Sequence, residues 1–253
     1  MEIKDKLFVI TGGARGLGKA MAQRIARDGG KLALLDVEAD QLAATVSELT
    51  GQGATARGYS ADITDETQVM DAFAAIEADA GPVSGLINNA GILRDALLVK
   101  AKDGEVTGFM SLQQWQSVID VNLSGVFLCG REAAKCMISS GSNGIIINIS
   151  SVVNGGNAGQ SNYAAAKAGV AALTVTWARE LARHGIRVAG ISPGVFETDM
   201  VASMKPEAKE RMCMQVPLQR TGQVEELADG AAWIISNDYF HGRSLQLDGG
   251  IIV

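Results

Sequence analysis

Proline, histidine and aromatic residues are scarce in this chain. Its 253 residues include 4 prolines and 2 histidines, and aromatic side chains make up 5% of the total. So few prolines argue against extended linkers, and the 30 glycines suit tight turns between strands and helices. With 47% hydrophobic residues, aliphatic side chains must fill a large core, which is typical of parallel sheets covered on both faces. One domain, residues 1–253, is therefore expected.

Positive charge is also in short supply. The chain carries 22 Lys and Arg against 28 Asp and Glu, for a net charge of -6. This balance argues against nucleic-acid binding, which needs a basic surface, and against docking on an anionic membrane. No apolar run is long enough for a membrane span, and the charged residues 1–6 do not resemble a signal peptide. The expectation is a cytoplasmic protein without nucleic-acid or membrane partners.

Cysteines and histidines give no sign of a metal site. Cys129, Cys136 and Cys213 are odd in number and lack the spacing of metal ligands. Reduced thiols in a cytosolic protein are the simpler interpretation. His184 and His241 stand apart from other ligating residues, so no metal is predicted.

Apolar runs alternate with amphipathic stretches along the chain. Strands are predicted at residues 7–10, 32–35, 55–60, 86–87, 145–149, 187–191 and 245–247. Helices are predicted at residues 17–28, 39–51, 65–80, 112–138, 162–183 and 224–236. Because strand–helix–strand units with right-handed crossovers build parallel sheets, the alternation predicts an α/β fold. This fold is a doubly wound (Rossmann) parallel sheet of about seven strands with helices on both faces.

A glycine-rich turn follows the first predicted strand. Thr11-Gly12-Gly13-Ala14-Arg15-Gly16-Leu17-Gly18 leads directly into the first helix. Glycines permit a tight turn and a close approach of the backbone, and a helix N-terminus offers free N–H groups to an anion. The position of the turn favours a dinucleotide-binding site that includes Gly12, Arg15, Gly16, Leu17 and Gly18.

Asp36 ends the second predicted strand, where dinucleotide folds place an acidic residue that accepts hydrogen bonds from the adenosine ribose. Its carboxylate would repel a 2′-phosphate, so NAD is favoured over NADP as the cofactor. Two alternatives stay open. Asp36 could instead cap the next helix, and the Arg15 guanidinium could contact a 2′-phosphate.

Tyr163 and Lys167 fall on one face of a predicted helix because they are four residues apart. A phenol has a pKa near ~10, and a neighbouring ammonium favours the phenolate. Upstream, the strand at residues 145–149 is followed by Ser150 and Ser151, at the strand end where α/β folds bind ligands. A serine hydroxyl there can polarise a substrate carbonyl.

Further motifs follow in order along the chain: Asn88-Asn89-Ala90-Gly91, Asn122 and Pro193-Gly194. With the glycine turn, the serines, Tyr163 and Lys167, they span essentially the full length, and the sequence resembles the short-chain dehydrogenase/reductase family. The resemblance implies an oxidoreductase that moves a hydride between a nicotinamide cofactor and a carbonyl or secondary alcohol. It implies that Tyr163 handles the substrate proton, that Lys167 lowers the tyrosine pKa and holds the nicotinamide ribose, and that Asn122 supports a proton relay.

The family serine can be assigned in two ways. The spacing to the tyrosine that is usual in the family selects Ser150, whereas counting from Gly144 at the strand start selects Ser151. Strand register is fixed by packing, and a loop tolerates a deletion more easily. Ser151 is therefore preferred as the catalytic serine, with Ser150 as the alternative.

The resemblance also implies the cofactor contacts and the assembly. Residues near the adenine, the ribose and the nicotinamide would be Asp62, Ile63, Asn89, Ala90, Gly91, Tyr163, Lys167, Pro193, Gly194, Val195 and Thr198. The substrate would be a small-molecule carbonyl or alcohol. The family commonly forms homotetramers, and the apolar residues 250–253 could lie in an interface.

Within the family, the resemblance is nearest to 3-oxoacyl reductases and to hydroxyacyl or hydroxysteroid dehydrogenases. An NADP-linked reductase of 3-oxoacyl thioesters, on acyl-carrier protein or coenzyme A, is the alternative function. The uncharged residues 139–143 and the acidic balance argue against a carrier-protein partner. A non-catalytic nicotinamide sensor is a third interpretation, which the intact Tyr163, Lys167, Asn122 and serines disfavour.

Two regions suggest where substrate specificity lies. Residues 99–114 form a longer connection than the family usually has, and Asp103-Gly104 is typical of a hairpin turn, which predicts a small flap at the active-site mouth. Residues 195–215 contain four methionines, Met200, Met204, Met212 and Met214. These could adapt to an apolar substrate or simply close a small helix onto the protein.

Overall fold

A computed structural model describes residues 1–251. Ile252 and Val253, which belong to the predicted C-terminal interface segment, and the side chain of Met200 lie outside the described part. The strands are β1 (Leu7–Thr11), β2 (Lys31–Asp36), β3 (Ala56–Ser60), β4 (Val83–Asn88), β5 (Val99–Lys102), β6 (Glu105–Phe109), β7 (Gly144–Ile149), β8 (Ile186–Pro193) and β9 (Ser244–Leu247).

Helices occupy most of the connections. They are α1 (Gly16–Arg27), α2 (Ala39–Gly51), α3 (Glu66–Ala80), α4 (Leu112–Ile119), α5 (Val126–Ser139), α6 (Ser161–Leu181), α7 (Asp199–Ala202), α8 (Pro206–Cys213) and α9 (Val224–Ser236). A π-helical segment, Asp120–Gly125, joins α4 to α5. No helix within residues 1–251 is long and apolar enough to cross a membrane.

Seven strands form one parallel sheet in the order β3-β2-β1-β4-β7-β8-β9, which confirms the predicted doubly wound fold. Strands β2 and β3 lie on one side of β1, whereas β4 and the later strands of this sheet lie on the other side, so the strand order switches between β1 and β4. In open α/β sheets, ligands bind at such a switch point, beyond the carboxyl ends of the strands. The ends of β1 and β4 therefore mark the expected crevice.

The central strands are buried on both faces. Phe8 and Ile10 of β1 pack in the cluster that includes α1 and α9, whereas Leu7 and Val9 pack in the cluster that includes α3 and α5. Alternate side chains of one strand thus enter two cores, which is why these strands read as continuous apolar runs. On α5, burial raises the pKa of the Cys129 and Cys136 thiols to about 12, so both stay protonated at neutral pH.

The predicted flap is a β-hairpin outside the main sheet. Strands β5 and β6 pair in an antiparallel manner, with Val99 opposite Phe109. Asp103 and Gly104 adopt positive φ angles of 52° and 84°, as a two-residue hairpin turn with φ above zero at both positions requires. The Asp-Gly signal therefore identified the turn correctly.

Candidate active site

The glycine turn after β1 is tightly packed. A Cβ on Gly18 would lie 2.1 Å from the Gly12 carbonyl oxygen, so no side chain fits there. Arg15 precedes α1 without a side-chain cap, and the first turn holds no acidic residue. The N–H groups at this helix end are consequently available to an anion, and the turn fits the pyrophosphate of a dinucleotide.

The carboxylate of Asp36 faces this turn from the end of β2. Its Oδ2 accepts a 3.0 Å hydrogen bond from the Ala14 N–H, and its Oδ1 accepts one of 3.2 Å from the Glu38 N–H. Each oxygen keeps a further lone pair for a ribose hydroxyl. Glu38, and not Asp36, is the N-cap residue of α2, so the helix-capping alternative is not the geometry observed.

A hydrogen-bonded link joins the glycine turn to the end of β4. The Asn89 side chain donates to the Thr11 and Gly12 carbonyls, both at 3.1 Å. The Thr11 hydroxyl accepts from the N–H groups of Asn89 and Ala90, at 3.0 and 3.1 Å. Asn89 and Ala90, two of the predicted ribose contacts, are thereby fixed beside the predicted pyrophosphate site.

The other predicted cofactor residues lie along the same edge of the sheet. Asp62 and Ile63 follow β3, Gly91 follows the β4 turn, and Pro193, Gly194, Val195 and Thr198 end or follow β8. The Thr198 methyl group lies 3.8 Å from the position of a Cβ built on Gly16. The loop after β8 therefore reaches the glycine turn. The guanidinium of Arg15 is exposed and pairs with no group in residues 1–251.

Lys167 is buried beneath this edge on α6. Its Nζ donates a 2.7 Å hydrogen bond to the Ile149 carbonyl at the end of β7 and lies 5.6 Å from the centre of the Tyr163 ring. A chain of buried amides fixes the helix below: Asn88 donates to Asn148 at 2.9 Å, and Asn148 donates to Thr174 at 3.0 Å. Strands β4 and β7 thus set the position of α6.

The two serines have separate partners. Ser151 lies close enough to the Tyr163 phenol to lower its pKa, and the Ser151 Oγ accepts from the Val153 N–H at 3.4 Å. Ser150 is buried, and its hydroxyl donates to the Lys167 carbonyl at 2.9 Å. Of the two candidates, the structure brings Ser151 to the tyrosine and leaves Ser150 as an anchor of α6.

The pKa of Tyr163 differs in direction from the sequence prediction. Burial raises it, and the hydrogen bond from Ser151 only partly opposes that effect. Lys167 was expected to lower this pKa, but burial of the phenol has the largest effect. Burial also lowers the pKa of Lys167 itself to about 8.

Asn122 lies in the π-helical segment, where a single continuous helix was predicted. Its Oδ1 accepts from the Ile92 N–H at 2.8 Å, and its Nδ2 donates to the Ile92 carbonyl at 3.0 Å. The side chain is fully buried. Asn122 therefore clamps the strand-end loop to the helix, and the widened turn at this position is typical of functional sites.

Comparisons with known proteins agree with this geometry. The profile of the short chain dehydrogenase family matches residues 6–209. The 3-oxoacyl-(acyl-carrier-protein) reductase FabG of Thermotoga maritima is 38% identical over 256 residues, covering 100% of both chains. A (3R)-3-hydroxyacyl-CoA dehydrogenase of Canis lupus familiaris is 36% identical, covering 99% of this chain and 98% of its own.

The chain belongs to the short-chain dehydrogenase family. It is an oxidoreductase that acts on CH–OH and C=O groups with a nicotinamide cofactor. A solved structure of a candidate gluconate dehydrogenase from Agrobacterium tumefaciens superposes with a TM-score of 0.89 at 34% identity. The match covers 98% of this chain and 96% of that one.

Three polar residues of this dehydrogenase site were missed from the sequence. Asn162 donates to the Arg94 and Gln114 carbonyls at 3.0 and 3.1 Å, and its Oδ1 accepts from the Tyr163 N–H at 2.8 Å. Gln160 donates to Asp95 at 3.0 Å. Asn162, Gln160 and Asp95 were all visible in the sequence, but no spacing rule connects residues 65 positions apart, such as Asp95 and Gln160.

The loop after β8 contains the methionines that were predicted either to adapt to an apolar substrate or to close a small helix onto the protein. It holds α7 and α8, and Glu197 ties it down through Lys209 at 2.5 Å and Thr221 at 2.8 Å. Met204 and Met212 are half-buried, whereas the side chain of Met214 is largely exposed. An ion pair and a hydroxyl, in addition to methionines, thus hold this segment in place.

Proposed function

We propose that the protein is an NAD-dependent enzyme that interconverts a small-molecule ketone and a secondary alcohol, with Tyr163 as the acid and base. Lys167, Ser151 and Asn122 complete the catalytic set. The observation that carries the proposal is the meeting of Tyr163, Ser151 and Lys167 at the carboxyl edge of the sheet. This edge is also where the predicted dinucleotide residues lie.

Each side chain has a definite part in this mechanism. The bound nicotinamide would supply or accept the hydride. Ser151 donates a hydrogen bond to the substrate oxygen, since its own Oγ is oriented by the Val153 N–H. Tyr163 transfers a proton to that oxygen during reduction and takes it back during oxidation. The Lys167 charge favours the phenolate that reduction leaves behind, and Asn122 holds the loop that borders the site.

The choice of NAD rests on Asp36. Two backbone N–H groups hold its carboxylate at the end of β2. There the carboxylate would accept a hydrogen bond from a ribose 2′-hydroxyl and would repel a 2′-phosphate. The NADP-linked reductase of 3-oxoacyl thioesters is kept as the second candidate. Relatives named as acyl-carrier-protein and CoA enzymes favour it, as does the exposed Arg15 beside the same turn.

The catalytic assignment is tested by Tyr163→Phe. Proton transfer by a positioned group contributes about 10²–10⁴-fold to a rate, so kcat for NADH-dependent ketone reduction should fall by about that factor. The Kd for NADH, measured by fluorescence titration, should stay within about twofold, since the ring remains. Tyr239→Phe, at a fully exposed tyrosine, is the matched control. Near-wild-type turnover in Tyr163→Phe would refute the assignment.

We infer one catalytic domain, a cytoplasmic location and a homotetramer. The exposed Phe127 of α5 and Trp233 of α9 support an assembly, because large apolar side chains at a surface are often covered by a partner. Light scattering coupled to size-exclusion chromatography measures the mass directly, and a monomer would refute the tetramer.

A further inference from the structure

An acidic side chain of unassigned role lies beside the candidate catalytic tyrosine. Residues 94–96 run along the start of α6, where the Ala96 N–H donates to the Gly159 carbonyl at 2.9 Å. Asn162 donates to the Arg94 carbonyl at 3.0 Å, on the other side of Asp95. Asp95 is therefore held on both flanks against the segment that leads into Tyr163.

The carboxylate of Asp95 is oriented by one side chain. Gln160 Nε2 donates to Asp95 Oδ2 at 3.0 Å, and Asn157 Nδ2 donates to Gln160 Oε1 at 2.9 Å. The second bond fixes which end of the Gln160 amide faces Asp95. Within residues 1–251, Oδ1 of Asp95 accepts no hydrogen bond, and the bond from Gln160 reaches Oδ2 alone.

The charge of Asp95 is not neutralised by a cation in the described chain. The adjacent Arg94 donates to the Leu93 carbonyl at 2.8 Å, and none of the ion pairs among residues 1–251 includes Asp95. Asp95 also contributes to raising the pKa of Tyr163, after burial, so its charge acts on the phenol. A negative charge there disfavours the phenolate form of Tyr163, so Asp95 does not assist the proposed proton transfer.

An ionised carboxylate can only accept hydrogen bonds, so a ligand group that it recognises must be a donor. We propose that Asp95, positioned by Gln160, is a specificity-determining residue that accepts a hydrogen bond from a hydroxyl or amide N–H of the substrate. This inference rests on the proposed role of Tyr163. The same carboxylate would repel a substrate carboxylate placed at that point.

The test is Asp95→Asn, assayed with two matched substrate pairs. In this variant the amide oxygen can keep the bond from Gln160, and the NH2 group then takes the place of the free oxygen, facing a substrate donor. The hydroxyl pair is 5-ketogluconate against 5-oxohexanoate. The amide pair is the N-acetylcysteamine thioester of acetoacetate against its S-butyl thioester, which lacks the amide.

The measured quantity is the ratio of kcat/KM for the donor-bearing member to that for the donor-free member. We expect Asp95→Asn to lower this ratio by about tenfold, equivalent to about 1.4 kcal/mol. A fall in one pair identifies the donor as hydroxyl or amide. Unchanged ratios in both pairs overturn the inference, as does a wild-type enzyme without preference for either donor-bearing member. Asp71→Asn, an exposed carboxylate on α3, is the control.

A pH profile separates recognition from a merely structural role. Removing the negative charge of Asp95 should lower the pKa of Tyr163. The rate of alcohol oxidation, which requires the phenolate, should then begin to rise at a lower pH. A profile that does not move contradicts the placement of this charge beside the phenol. The two proposals fail separately, because Tyr163→Phe tests the catalytic assignment and Asp95→Asn tests recognition.

Discussion

The Lys167 ammonium donates its hydrogen bond to the carbonyl of Ile149, at 2.7 Å, across the gap between α6 and the end of β7. The side chain of Lys167 is buried, and burial lowers its pKa from 10.5 to about 8. A single carbonyl does not replace the water lost by a buried cation. The protein therefore keeps a charge at its active site at a cost in stability.

This cost gives a pH-dependent prediction for Lys167→Met. Between about pH 8 and 10.5 the unfolded chain binds a proton at Lys167 that the folded protein does not, so the free energy of unfolding rises with pH in this window. Below about pH 8, where Lys167 is charged in both the folded and the unfolded protein, the stability cost of burying its charge is fully present. From pH 7 to 9.5, the stability of the wild type relative to Lys167→Met should rise by about 2 kcal/mol.

Urea denaturation at the two pH values measures this difference. Comparing each variant with the wild type at the same pH cancels the titration of groups elsewhere in the protein. Lys6→Met, at an exposed lysine before β1, is the control, and its stability relative to the wild type should be the same at both pH values. If the stability difference between the wild type and Lys167→Met were the same at both pH values, burial would not disfavour the charged form of Lys167.

The two adjacent serines give opposite predictions. Ser151→Ala removes the hydroxyl that meets Tyr163, so kcat should fall by about 10–10³-fold with a small change in stability. Ser150→Ala removes the buried bond to the Lys167 carbonyl, so the protein should lose about 1 kcal/mol of stability and keep more of its turnover. Each variant is the other's control, assayed for kcat and by thermal denaturation. The reverse pattern would assign the catalytic role to Ser150.

Much of this arrangement was predictable because local sequence rules act at the strand ends. The glycine turn, Asp36 and the serine pair each lie at the end of a buried strand or directly after it, and a parallel sheet brings such ends to one edge. The Tyr163 and Lys167 spacing likewise placed both residues on α6. The preference for Ser151 came from strand register, which packing fixes more strictly than it fixes loop length.

The features that the sequence did not reveal depend on tertiary contacts. The π-helical segment forms where Asn122 reaches the backbone of Ile92, a contact invisible to helical periodicity. The raised pKa of Tyr163 depends on burial, which a four-residue spacing cannot report. Asp95 and Gln160 meet only because two loops run side by side above the sheet.

Cofactor preference should respond to Asp36 more than to Arg15. Asp36→Asn keeps an acceptor for one backbone N–H but removes the charge, so kcat/KM with NADH should fall and that with NADPH should rise, changing their ratio by about tenfold or more. Arg15→Ala should leave the ratio within about twofold if the guanidinium only faces solvent. A selective loss of NADPH activity in Arg15→Ala would instead favour the NADP-linked alternative.

The β5–β6 hairpin should tune substrate preference and leave cofactor affinity unchanged. It continues from the segment bridged to Gln160 through Ala96, near Tyr163, and it exposes the apolar side chains of Val99, Val106 and Phe109. An isolated two-stranded hairpin gains little stability of its own, so shortening it should not unfold the sheet. Deleting residues 103–108 removes the turn and most of β6.

The deletion should change the ranking of kcat/KM across ketones with apolar chains of increasing length, with the greatest loss for the longest. The Kd for NADH should stay within about twofold, since the glycine turn and Asp36 lie at other strand ends. Val106→Ser and Phe109→Ser, which keep the chain length, should shift the ranking in the same direction. An unchanged ranking in the deletion and in both point variants would make the hairpin a structural loop, because exposed apolar groups that contact substrate cannot be removed without affecting chain-length preference.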